Sequence, residues 1–250
     1  MDDEPTGVSV KRTYDRIADH FASTRVSPWP EVTAFLRPDA DSAVSRLDDD
    51  AVDALAGGAV PGFDRAASGD AETSRRLGLD LGCGNGRHAE PLSAVVGQVV
   101  EVDVSAELLR TARARSRERE IRPRPTLLQA DAASLPVAPG TVDVVVYVAA
   151  LHHLRPRSRR VASLSAVSRV LAPGGRALVS AWSTAHDRFD ADSGFDTTVP
   201  WTLPGGESLP RFYHIYDPAE FAADIRASSL DAVATTVSSG NCYAVVSPGG

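Results

Sequence analysis

From Leu77 onward, short apolar runs alternate with helix-like stretches, and this rhythm limits the possible fold more than any other feature of the 250-residue chain. The runs are LGLDLG (77–82), QVVEVDV (98–104), TLLQAD (126–131), VDVVVYVAAL (142–151) and RALVSAW (176–182). Helical stretches fall after Asn85, at about 105–119 and at about 156–171. Strands that are apolar throughout must be covered on both faces, and intervening helices supply the cover. The pattern therefore predicts the α/β class with a doubly wound, mostly parallel sheet. Past Trp182 the rhythm breaks for about thirty residues that read as loop. It resumes with a helix near 217–229 and strands near 231–238 and 242–247, for seven strands in all.

Two segments precede this domain of residues 77–250. Residues 1–36 read as a helical cap and substrate loop, with Tyr14, Ile17, Phe21, Val32, Phe35 and Leu36 as apolar positions. The two prolines around Trp29 must interrupt the helix between Val26 and Pro30. Residues 37–76, dominated by Asp, Ala, Gly and Ser, read as an acidic, partly disordered insertion.

Charge and cysteine usage narrow the setting. The net charge is −7, Asp outnumbers Glu, and Lys11 is the single lysine among 26 basic residues. That bias is expected of a halophile, an archaeal organism with high internal salt. A net acidic surface also argues against nucleic-acid binding by global charge, so a polyanion must be gripped locally. No run of eighteen apolar residues is present, which argues against a membrane span. The start MDDEPTG does not read as a targeting peptide, and two cysteines cannot build a disulfide scaffold or, alone, a zinc site. The expectation is a soluble, cytoplasmic protein with no metal and no membrane partner.

LDLGCGNG (79–86) places Gly82, Gly84 and Gly86 directly after the first strand, where glycine lets the backbone turn tightly against a ligand. Such a turn alone is shared with dinucleotide enzymes. Here it is accompanied by Asp80 within the strand end, by Asp103 at the end of the second strand, spaced as a ribose-binding acid would be, and by Asp131 and Ala132 closing the third. Together these positions resemble the class I S-adenosylmethionine-dependent methyltransferases over residues 77–182. The resemblance implies a Rossmann-like sheet and S-adenosyl-L-methionine as cofactor. Asp80 would hold the methionine amino end, Gly82 and Gly84 would line the cofactor with Cys83 and Gly86 in the same turn, and Asp103 would take the ribose. Asp131, Ala132 and Val148 would complete the cofactor site, and Tyr14 would cover it. Cys83 otherwise reads as a small buried turn residue.

The acceptor is narrowed first by absence. AALHHL (149–154) stands where methyltransferases of exocyclic base amines carry a [DN]-P-P-[YF] turn, and neither cysteine is placed as a nucleophile for C5 methylation. YDRIADHFASTRVSPWP (14–30), VPWTLP (199–204), RFYHIY (211–216), AALHHL and NCYAVV (241–246) then closely resemble the tRNA wobble-uridine carboxymethyl methyltransferases. That family esterifies the carboxylate of 5-carboxymethyluridine in the anticodon loop, working with a small zinc-binding activator subunit. The resemblance implies the same partner here, at the sheet edge near 126–130, where an uncovered apolar strand would be a liability. Eukaryotic members carry a long basic insertion between the VPW and RYYH-like motifs, absent here.

A carboxylate is ionised near neutral pH and needs no general base; it needs positioning against the methyl donor. Arg25 and Arg211 are candidate carboxylate clamps, because the planar guanidinium binds carboxylates through paired hydrogen bonds. His152 and His153 follow the fourth strand at the ligand-binding ends of the sheet; the resemblance favours His153 as a donor, while physics alone does not choose. Trp29 and Trp201, in proline-bounded turns, are candidates to stack on the flipped base, with pinning of a loop as the alternative, and His214 is a substrate candidate or a structural residue. Of two basic clusters, residues 110–124 read as a solvated face, and Arg155, Arg157, Arg159 and Arg160 as candidates for anticodon-stem phosphates. Two rival functions stay open: a small-molecule O- or C-methyltransferase, and a non-catalytic cofactor-binding scaffold.

Overall fold

The computed structural model describes residues 9–36, 47, 49–57 and 73–250. Nine strands are present among them: β1 Leu77–Leu81, β2 Gln98–Asp103, β3 Thr126–Gln129, β4 Val142–Tyr147, β5 Leu171–Trp182, β6 Phe195–Thr202, β7 Ser208–Ile215, β8 Leu230–Ser238 and β9 Asn241–Pro248. The helices are α1 Val10–Thr24, α2 Pro30–Leu36, α3 Asp49–Gly57, α4 Ala89–Ser93, α5 Ala106–Glu118, α6 Arg157–Val170 and α7 Pro218–Ala227. Local chemistry sets several starts. The hydroxyls of Ser9 and Ser105 accept from the backbone N–H groups of Arg12 and Leu108, and the Asp217 carboxylate accepts from those of Ala219 and Glu220 ahead of Pro218.

Seven strands form one sheet in the order β3-β2-β1-β4-β5-β9-β8. The first five are parallel, and β9 runs antiparallel to both β5 and β8. The expected doubly wound sheet is therefore present. One face is covered by α6 and α7, whose Leu164, Val167, Phe221 and Ile225 pack with Leu79, Tyr147 and Val179. The other face carries Val32, Phe35 and Leu36 of α2, Leu55 of α3 and Leu92 of α4 against Val99, Val144 and Val146.

Two sequence expectations change. About half of the thirty residues read as loop form a hairpin, β6 paired antiparallel with β7 in a separate two-stranded sheet. Its strands contain Pro200 and Pro210, which hide a strand signal, and the Leu203–Glu207 turn relies on Gly205 and Gly206 at positive φ. The second change lies within residues 37–76, most of which fall outside the described residues. Helix α3 there buries Ala51 and Leu55, four residues apart on one helical face, beside α2 and β8. Part of that acidic segment thus builds the core. Among the described residues no helix is long and apolar enough to cross a membrane.

Candidate active site

The sheet, α1 and the hairpin enclose a cleft of about 1720 Å³ at the carboxyl ends of the parallel strands. One half is the glycine turn. Gly82 and Gly84 have φ of +68° and +57°, and a Cβ on Gly82 would stand 2.4 Å from the Cβ of Ala150. The turn is tied to β2 by the N–H groups of Gly82 and Cys83, which donate to the Val102 carbonyl. Asp103 accepts from the backbone N–H of Gly84 and of Ser105, each at 2.9 Å, so its carboxylate is fixed at the cleft wall. Burial holds its pKa up at about 6 against those two bonds. Asp131, Ala132 and Val148 complete this half. The Asp131 carboxylate accepts from the Ala133 N–H and is paired with Arg159.

Asp80, near the end of β1, and Gly86, in the turn itself, do not line the cleft. A Cβ on Gly86 would stand 2.6 Å from Glu101 Oε1, so this glycine lets the turn settle on β2 and α5. Asp80 is fully buried beneath the turn with Oδ2 unpartnered among the described residues. Burial and the neighbouring Glu101 raise its pKa well above the carboxylate range.

The other half is aromatic and basic. Tyr14 of α1 donates its hydroxyl proton to His153 Nε2 at 2.8 Å, and His153 Nδ1–H donates to the Phe212 carbonyl at 2.7 Å. That tautomer follows because a carbonyl can only accept. Burial lowers the His153 pKa to about 4, so the ring is neutral and both nitrogens are engaged within the protein. His152 accepts the backbone N–H of Trp182 on Nδ1 and stacks on Tyr213 with ring centres 4.7 Å apart. The histidine pair thus joins the end of β4 to the hairpin.

Arg25 and Arg211 converge from different parts of the chain. Arg25 caps the C-terminus of α1, and Arg211 opens the cleft-facing side of β7. Their guanidinium carbons lie 5.3 and 4.8 Å from the centre of one ring, that of Trp201. Arg211 is only 9% exposed, and no ion pair with an acid is formed by it among the described residues.

Trp201 itself does not line the cleft. Its indole N–H donates to His20 Nδ1 and its ring packs on Phe21, which pins the hairpin to α1. Trp29 does line the cleft, beneath the guanidinium of Arg87. His214 is held away from the cleft between Asp196 at 2.7 Å and Glu220 at 2.9 Å. The second basic cluster divides likewise: Arg157 and Arg160 are bound by Asp224 and Glu220, while Arg155 and Arg159 reach the cleft, Arg159 in its pair with Asp131.

Sequence reasoning missed Tyr213 and Arg87. In a strand, alternate side chains share a face, which puts Tyr213 beside Arg211, with guanidinium and ring centre 5.1 Å apart, and turns His214 away. Reading 211–216 as a strand would have selected Tyr213. No sequence signal distinguishes Arg87 from the other arginines.

A family model described as a methyltransferase domain matches residues 79–179. Residues 79–179 are thus a methyltransferase domain, on a sheet with the class I methyltransferase fold. S-adenosylmethionine is the cofactor of this class, and the glycine cradle, the fixed Asp103 and the apolar wall at Val148 fit it. The tRNA (carboxymethyluridine(34)-5-O)-methyltransferase of Saccharomyces cerevisiae is 30% identical over 81% of this methyltransferase, which spans 59% of the yeast protein's length. Two solved structures share the fold. The CcbJ methyltransferase of Streptomyces caelestis has a TM-score of 0.67 at 18% identity, covering 97% of this chain and 100% of its own. A methyltransferase in complex with the Haloferax volcanii Trm112 methyltransferase activator has a TM-score of 0.61 at 14% identity, with 97% and 98% covered.

Proposed function

We propose that this methyltransferase esterifies the carboxylate of 5-carboxymethyluridine at the wobble position of tRNA. The observation that carries the reading is Arg211. A buried guanidinium without a counter-carboxylate is costly unless an anion completes it, and Arg25 lies against the same tryptophan ring. The pair makes a receptor for one small planar anion. The sequence similarity to tRNA carboxymethyluridine methyltransferases supports the anion's identity.

S-adenosylmethionine, when bound, supplies an electrophilic sulfonium methyl group. The substrate carboxylate is already ionised, so the protein has no proton to remove. Arg25 and Arg211 hold one carboxylate oxygen and leave the other free to attack. Neutral His153 holds the Tyr14 hydroxyl toward the cleft, and the aromatic walls exclude water. His152 and His153 act as supports for this geometry, since burial keeps both uncharged at neutral pH.

The RNA is gripped locally, with Arg155 at the cleft mouth. A small zinc-binding activator subunit pairs with β3, which is an edge strand of the sheet. The Asp-rich, lysine-poor composition supports a cytoplasmic setting in an archaeal halophile.

The test is methyl transfer to tRNA carrying 5-carboxymethyluridine, with the activator subunit present, read by nucleoside mass spectrometry. The expected product is the methyl ester, lost in Arg211→Ala while cofactor binding persists. No ester from enzyme that binds cofactor and tRNA would overturn the reading.

A further inference from the structure

The cleft must distinguish two carboxylates if the proposed function holds, one on the substrate and one on the methionine end of the cofactor. Seven cationic side chains line it: Lys11, Arg12, Arg25, Arg87, Arg155, Arg159 and Arg211. Lys11 is paired with Asp15 and Arg159 with Asp131, and Arg12 is exposed in the first turn of α1. Arg155 lies over Phe212 beyond the histidine pair. Arg25 and Arg211 share Trp201.

Arg87 stands apart from these. It follows the glycine turn directly, and its guanidinium lies 5.0 Å from the centre of the Trp29 ring. The charges that face it are Asp80, Arg25, Tyr243 and Arg115, and none of the described ion pairs includes it. Arg87 is half-buried, and burial pulls its pKa down to about 10 against the attraction of Asp80. Asp80, beneath the same turn, also keeps an oxygen without a partner.

We propose that Arg87, seated on Trp29, holds the carboxylate of the cofactor's methionine end, so that cofactor and substrate carboxylates are sorted onto separate arginine–tryptophan platforms. The sorting rests on the proposed function, whereas the Arg87 contact does not. Arg25, drawn to the Trp201 platform, is left for the substrate.

The test compares binding of S-adenosylhomocysteine with that of its decarboxylated analogue, which keeps the amine, by isothermal titration calorimetry without tRNA. Wild-type protein should bind S-adenosylhomocysteine more tightly. Arg87→Ala should lose about ten- to a hundredfold for S-adenosylhomocysteine, the scale of one charged hydrogen bond, and change little for the analogue. Arg87→Lys should recover part of the loss. Equal weakening of both ligands in Arg87→Ala and in Arg87→Gln would overturn the proposal by making Arg87 structural. A carboxylate-specific loss in Arg25→Ala instead would reassign the contact. Equal affinity of the wild-type protein for both ligands would also overturn it, without recourse to any variant. None of these outcomes depends on tRNA, so failure here and failure of the ester assay are separable.

Discussion

Replacing Glu101 by glutamine should change the pH dependence of folding by a predictable amount. Glu101 lies on β2 beside Asp80 of β1, is fully buried, and has both carboxylate oxygens unpartnered among the described residues. Burial raises its pKa from 4.5 to about 7, with Arg115 opposing and Asp103 adding to the rise. The folded protein therefore keeps a proton that the unfolded chain releases, and stability falls as pH climbs between these two values. At about 1.4 kcal/mol per pKa unit the fall amounts to about 3 kcal/mol, a large part of a typical domain's 5–15 kcal/mol. Glutamine cannot ionise, so Glu101→Gln should lose this contribution to the decline and keep those of Asp80, raised well above the carboxylate range, and Asp103, held at about 6. Denaturant unfolding at a series of pH values from about 4.5 to 8.5, at constant salt, measures it. Any constant cost of the amide offsets the whole curve, so the slope is the diagnostic. Parallel curves for the two proteins would refute the reasoning and mean that Arg115 or buried water neutralises the carboxylate.

Three further outcomes follow from the same geometry. Gly82→Ala should abolish cofactor binding, because its Cβ would meet that of Ala150 at 2.4 Å, while Gly140→Ala, also at positive φ but with nothing within 4 Å, should cost only about 1–2 kcal/mol of backbone strain and leave titration with S-adenosylhomocysteine unchanged. Asp224→Ala should destabilise by about 3–5 kcal/mol in denaturant unfolding, since it strips buried Arg160 and the Tyr216 hydroxyl of a shared partner; a loss below about 1 kcal/mol would contradict that role. Neither Cys83 nor Cys242 should react with iodoacetamide in the folded protein at pH 8, because burial pushes the first thiol well up and the second to about 11.

Much of this methyltransferase is legible in one dimension. The strand–helix rhythm, the glycine turn, Asp103, and the break at Val26–Pro30 are local signals, because apolar burial, positive φ and proline geometry act within a few residues. The family resemblance made Arg25, Tyr14 and His153 candidates, and the fold brings them to one cleft. The hairpin was hidden because its strands contain proline and gain their stability from packing on α1, a contact almost two hundred positions away. That packing separates Tyr213 from His214 and decides that Trp201 supports two arginines instead of facing the cleft.

What the sequence determined by itself is the sheet and its cofactor turn, since hydrophobic periodicity and backbone stereochemistry are properties of neighbouring residues. Which arginines stay charged without a partner, and which are consumed by Asp224, Glu220 or Asp131, was decided only by the tertiary structure. Desolvation and ion pairing depend on distances across the fold, and identical arginines in a string carry no record of those distances.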